Sequence, residues 1–114
     1  MKLHPTLEQY TVLPDHIQEK FRQEFPPQIG DFIKHPDYHQ YECISNQDYN
    51  DQYVSEAIVL PSIASMLQWL GEKDNLINIM KIPSGWYYAS SIEKELADLL
   101  FRSIINLLTK QNDN

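Results

Sequence analysis

The sequence predicts one α+β domain over residues 1–114, and three observations lead to this prediction. Apolar residues recur at helical spacing near residues 15–25, 62–70 and 91–110. Residues 76–82 and 86–90 are rich in β-branched and aromatic side chains and flank a Pro-Ser-Gly turn, which predicts an antiparallel hairpin. A chain of 114 residues is also long enough for one core without disulfides.

The first helix is predicted from a capping box and an apolar stripe. Asp15 precedes Gln18 by three residues, an arrangement that satisfies free amides at a helix start. The segment before it, residues 1–13, is predicted to be an extended arm, and residues 111–114 a polar tail. The stripe consists of Ile17, Phe21 and Phe25.

The two later helices carry clearer boundary signals. Ser62 is the expected N-cap of the second helix, and Gly71 is its expected C-terminal stop. Ser90 and Glu93 form a second candidate capping box, which starts the last helix near residue 91. The predicted core residues are Ile63, Leu67, Leu70, Ile77, Ile79, Trp86, Leu96, Leu100, Ile104 and Leu107.

Residues 28–60 carry weaker signals. Residues 31–34 favour a short strand, and β-branched residues favour another at 53–60. A single cysteine excludes an internal disulfide, and the N-terminus lacks the apolar run of a signal peptide. No window is apolar over 18 residues, so no membrane span is expected and the cytoplasm is the predicted location.

The net charge of −7 is concentrated in the middle of the chain. Residues 31–56 contain one lysine and six acidic residues, so this stretch alone contributes −5. Such a chain repels phosphate backbones, which argues against direct nucleic-acid binding. An acidic surface with interleaved tyrosines suits a basic protein partner, and the alternative is a solvated loop. The candidate interaction residues are Tyr38, Tyr41, Asp48, Tyr49, Asp51 and Tyr53.

A second candidate site is the cluster of His35, His39 and Cys43. Ligands spaced by four residues share one side of a helix and could bind zinc, although Pro36 disfavours helical geometry there. Cysteine beside histidine also suggests a nucleophile and base, and the alternative is purely structural. The sequence has no phosphate-binding glycine loop or hydrolase motif, and we expect no catalytic residues and no cofactor.

The second half of the chain resembles a known family. Leu60-Pro61 before a helix, Trp69-Leu70 near its end, Gly85-Trp86-Tyr87-Tyr88 in a strand and a final leucine-rich helix are similar to small phage-type proteins. The resemblance covers residues 58–110 and implies a compact α/β/α (ABA) sandwich. It implies no chemistry.

The predicted function is a non-enzymatic accessory or protein-interaction module, of phage or mobile-element type. Its interaction surface is either the acidic, tyrosine-rich stretch or surplus apolar surface on the last helix, through which the chain could self-associate. The alternative is a small metal-binding protein or enzyme that uses His35, His39 and Cys43.

Overall fold

A computed structural model describes residues 1–35, 40–44, 57–74 and 77–112. The described helices are α1 (Leu7–Thr11), α2 (Asp15–Glu24), α3 (Ile63–Lys73) and α4 (Leu96–Asn112). The described strands are β1 (Phe32–Lys34), β2 (Glu42–Cys43), β3 (Ile58–Leu60), β4 (Met80–Ile82), β5 (Gly85–Tyr88) and β6 (Ser91–Glu93). They form two antiparallel sheets, sheet A in the order β2-β1-β3 and sheet B in the order β4-β5-β6. The predicted α+β class is confirmed.

The core lies where α2 and α3 pack against α4. Helix α4 contributes the most residues to this core, because its apolar residues recur every three or four positions and form one buried face. The predicted stripe of α2 is buried as expected. The main buried residues are Tyr10, Phe21, Phe25, Leu60, Met66, Trp69, Leu70, Ala97, Leu100, Phe101, Ile104 and Leu108.

Most of the predicted core residues lie at or beside this core. Leu70, Leu100 and Ile104 are fully buried. Five others are half-buried and pack against the cluster, namely Ile63, Ile77, Ile79, Leu96 and Leu107. Trp86 is half-buried on sheet B. The prediction for Leu67 is wrong, because 36% of this residue is exposed on the outer side of α3.

Sheet A is joined to α3 by one buried carboxylate. Asp31 is 1% exposed, and its Oδ1 accepts hydrogen bonds from the Ser62 amide at 3.0 Å and the Ser65 hydroxyl at 2.7 Å. Its Oδ2 accepts a third from the Gln28 amide at 3.1 Å. Asp31 and the Ser62 side chain together accept the hydrogen bonds that the first turn of α3 would otherwise leave without a partner. The predicted N-cap at Ser62 is confirmed.

The N-terminal segment is not a simple extended arm. Residues 7–11 form α1, which begins at a complete capping box between Thr6 and Gln9. A five-residue helix is too short to be stable alone. Tertiary contacts hold it, including the hydrogen bond at 3.0 Å that Gln9 Nε2 donates to Asp98 Oδ1 on α4.

Two helix boundaries differ from prediction. Asp15 is not the cap of α2, because Pro14 occupies that position and Gln18 instead donates to the carbonyl of Leu13 at 2.9 Å. Gly71 does not stop α3, which continues to Lys73. Glycine is compatible with helical backbone where packing favours a longer helix, so Gly71 alone does not fix the end of α3.

The predicted hairpin is present, but a third strand replaces the expected start of the last helix. Strands β4 and β5 pair across Pro83-Ser84, and Gly85 takes the expected positive φ of 144°. The chain then turns again at Ala89 and Ser90, whose φ values are 51° and 70°. Residues 91–93 therefore return as β6, and the predicted Ser90–Glu93 capping box is wrong. None of the described helices is long and apolar enough to cross a membrane.

Candidate functional site

The structure does not bring together the described members of the His35, His39 and Cys43 cluster. Cys43 is exposed on β2 and pairs with Phe32, whereas His35 is buried beyond the other end of β1. At about 3.3 Å per strand residue, three positions separate them by about 10 Å along the strand. His39 lies outside the described residues, and no group of three metal-ligating side chains occurs among the residues described.

Only one of the acidic and tyrosine interaction candidates lies in the described chain. Tyr38, Asp48, Tyr49, Asp51 and Tyr53 fall outside it. Tyr41 has a structural contact, because its hydroxyl oxygen accepts a hydrogen bond from the Leu7 amide at 3.0 Å.

The ring of Tyr41 also contacts the N-terminal segment. Its centroid lies 4.7 Å from that of the His4 ring, which in turn lies 4.3 Å from that of Phe32. Tyr41 therefore holds the start of the chain against sheet A.

No apolar residue of the last helix is exposed over residues 96–110, and what remains of the predicted surplus apolar surface there is half-buried, at Leu96, Ile105 and Leu107. Leu99, Leu100, Ile104 and Leu108 of α4 are completely buried, and Phe101 nearly so. Because α2, α3 and sheet B surround this helix, its broad stripe is used inside the domain.

Exposed apolar surface is found instead on one side of sheet B. Met80 pairs with Tyr87, and Tyr87 pairs with Ile92, so three apolar side chains form one row across the three strands. We call these three residues the apolar row. Met80 is 44% exposed, Ile92 is 50% exposed and Tyr87 is half-buried.

The opposite face of sheet B packs on the helices. Arg102 of α4 donates to Glu93 Oε1 at 2.8 Å. The buried Tyr88 donates its hydroxyl hydrogen to Asp74 Oδ2 at 2.7 Å, next to the end of α3. Since side chains alternate along a strand, contacts from residues 88 and 93 to the helices leave residues 87 and 92 pointing outward.

Burial and the acidic partner also perturb Tyr88. Removal of its ring from water raises the pKa of Tyr88 to about 12, and the hydrogen bond and negative charge of Asp74 act in the same direction. The phenol therefore stays neutral and anchors the inner face of the sheet.

The outer face of sheet B is free of charge within its strands. Its strand residues are Met80, Ile82, Gly85, Tyr87 and Ile92. Other large apolar residues that are exposed in the described chain occur outside the strands, namely Met1, Leu3, Val12, Ile29, Tyr41 and Leu67. An uncharged apolar row on a chain of net charge −7 is suited to contact with another apolar protein surface.

Sequence reasoning missed this row because it placed Ile92 at the start of a helix. The alternation of Met80 and Ile82 gave a partial signal. Only the second turn, at residues 89–90, brings Ile92 beside Tyr87.

The comparisons with known proteins found no relative of this chain. No family model, no curated protein and no solved structure matches this chain.

Proposed function

We propose that this protein is a non-enzymatic interaction module that associates with a second copy of itself through the outer face of sheet B. The observation that supports the proposal is the apolar row of Met80, Tyr87 and Ile92, which crosses all three strands on the face away from α4. Three aligned apolar side chains form a continuous strip, whereas single exposed ones are ordinary on any protein surface.

A second copy suits this surface on physical grounds. A twofold interface places the same patch on both sides, so an apolar row meets an apolar row. Two sheets can pack face to face in this way with their side chains interleaved. The lack of charged strand residues on this face also limits repulsion between two chains that are each strongly acidic.

The expected association is weak. A standard interface buries about 800 Å² on each partner, and the apolar row forms only the centre of such an area. Tyrosine and methionine supply adaptable contact area there. We therefore expect a dimer with a dissociation constant of about 10–100 µM.

The acidic, tyrosine-rich surface and its basic partner remain a prediction, as does the phage or mobile-element type. The metal-binding alternative requires His39 to meet His35 or Cys43, and the distance between the latter two along sheet A disfavours a joint site.

Sedimentation equilibrium tests the proposed dimer. The wild type should shift from monomer to dimer between about 5 and 500 µM. Ile92→Lys should remain monomeric over that range, because a charge placed within an apolar contact is costly to bury.

Ile29→Lys is the matched control. Ile29 is 53% exposed, close to the 50% of Ile92, but lies in a loop before sheet A. This variant should dimerise like the wild type. A wild-type monomer at every concentration would reject the proposal, as would equal loss of dimer in both variants.

A further inference from the structure

A separate pocket lies on the inner side of sheet B. It opens between the end of α3, the turn that joins β5 to β6, and the last turns of α4, and it has a volume of about 370 Å³. We call it the lysine pocket. Its lining includes Lys73, Tyr88, Ser91, Asn106, Leu107 and Lys110. Cavities of about 300–1,000 Å³ are the size that binds small molecules.

Helix α4 supplies one wall of the lysine pocket from a single face. Ser103, Asn106, Leu107 and Lys110 follow the spacing of i, i+3, i+4 and i+7. The buried Ser103 hydroxyl donates to the Leu99 carbonyl at 2.8 Å, which leaves its oxygen able to accept. This wall therefore offers an amide, a hydroxyl oxygen and an ammonium group along one line.

The pocket has polar groups that the fold does not use. Within the described part of the chain, the side chains of Ser91, Asn106 and Lys110 have no hydrogen-bond or ion-pair partner. Lys73 contacts the Trp69 ring, with its Nζ 5.3 Å from the ring centroid. Asn106 and Lys110 are exposed and Ser91 is half-buried, so these three lining side chains are available to orient a bound ligand.

The charged residues of the lining favour a ligand with one negative charge. Lys73 and Lys110 contribute two positive charges, and Asp74 contributes one negative charge beside Tyr88. The net charge is +1 in a chain whose total is −7. A singly charged anion fits this balance, whereas a doubly charged phosphate exceeds it.

The remaining lining is apolar. The Tyr88 ring and the Leu107 side chain face the same cavity, with Ala89 at the turn. These groups gain from contact with a hydrocarbon body and gain nothing from a bare inorganic ion.

We propose that the lysine pocket binds a small organic monocarboxylate, with its carboxylate between Lys73 and Lys110 and its apolar body against Tyr88 and Leu107. This site lies on the face of sheet B opposite the apolar row. It is independent of self-association, because Ile92 and Met80 do not line it.

Titration of ¹⁵N-labelled protein with 3-phenylpropionate tests the proposal. The amide signals of Ala89 and Ser91 and the side-chain amide of Asn106 should shift, with a dissociation constant of about 1 mM for a ligand of this size. The uncharged analogue 3-phenylpropanamide should bind at least about fivefold more weakly, and inorganic phosphate should leave these signals in place.

A pair of lysine variants completes the experiment. Lys110→Gln should weaken binding of 3-phenylpropionate about three- to fivefold, and Lys94→Gln, an exposed lysine that does not line the pocket, should not change it. Equal binding of acid and amide, binding of phosphate at the same signals, or shifts only elsewhere would overturn the proposal. So would an absence of shifts at about 20 mM ligand, some twentyfold above the expected constant.

Discussion

The two sheets of this protein differ in which of their side chains are engaged inside the domain and which are exposed. Sheet A joins distant parts of the chain, with Phe32 paired to both Cys43 and Leu60, and the buried Asp31 links it to α3. Sheet B is a local meander with two short turns, and one of its faces carries the exposed apolar row. The described polar groups at sheet A are engaged internally, whereas sheet B leaves apolar surface for an outside contact.

The contrast between the two sheets shows which part of the domain exposes apolar surface. The sequence directs attention to residues 31–56 because they hold most of the negative charge. In the structure, however, Asp31 and Tyr41 from this stretch stabilise the fold. The exposed strip comes from a segment whose residues look like ordinary core candidates.

The largest expected effect is on sheet A. Asp31→Ala should lower the free energy of unfolding by about 3–5 kcal/mol, because two amides and one hydroxyl then lose a buried acceptor. Urea denaturation measures this change. Asp15→Ala, at an exposed carboxylate with no cap hydrogen bond, should cost no more than about 0.5 kcal/mol. Equal effects would contradict the assigned role of Asp31.

Sheet B should be most sensitive at Gly85. An added Cβ there would lie 2.3 Å from the Glu93 carbonyl oxygen, and φ is 144°. Gly85→Ala should therefore destabilise the protein by about 2 kcal/mol or more. Gly71→Ala is the control, because its Cβ would meet only Ile77 Cδ1 at 3.9 Å inside α3.

The control should change stability in the opposite direction. Alanine favours a helix interior by about 0.5–1 kcal/mol over glycine, so Gly71→Ala should raise the melting temperature. If Gly85→Ala raised it as well, the close approach of β5 and β6 would be wrong.

The smallest expected effect concerns the anchor of sheet B on α3. Tyr88→Phe should lose about 1 kcal/mol at pH 7, since one hydrogen bond to Asp74 disappears. The folded pKa of about 12 exceeds the unfolded value of about 10, so the contribution of Tyr88 is complete below pH 10 and is lost as pH rises to 12.

Denaturation curves from pH 8 to pH 12 measure this pH dependence. The wild type should lose stability more steeply than Tyr88→Phe above about pH 10. Parallel pH profiles for the two proteins would show that the phenol of Tyr88 is not protected as described.

Local chemistry explains which parts of the fold the sequence could predict. The β4–β5 hairpin follows from Pro83-Ser84-Gly85, and the N-cap of α3 follows from Ser62, because each signal acts within a few residues. Strand β6 was not predictable in this way. It depends on left-handed backbone at Ala89 and Ser90, a conformation that residues other than glycine rarely adopt.

The apolar row could not be predicted from local sequence patterns either. The pairing of Met80, Tyr87 and Ile92 needs both turns, so no local pattern identifies the row. The pairing of Phe32 with Leu60 spans 28 residues and depends on tertiary contacts for the same reason. The sequence predicted one of the outer strands and the central strand in each sheet, but neither β2 nor β6, and it did not predict which strands pair in sheet A.

If the protein associates as proposed, the apolar row contacts a second copy of the chain. A series of ¹H–¹⁵N correlation spectra recorded from about 10 µM to 1 mM locates such a contact directly. Concentration-dependent shifts should be largest at Met80, Tyr87 and Ile92 and absent at Ile29. Spectra that do not change with concentration, or that change only outside sheet B, would contradict the account.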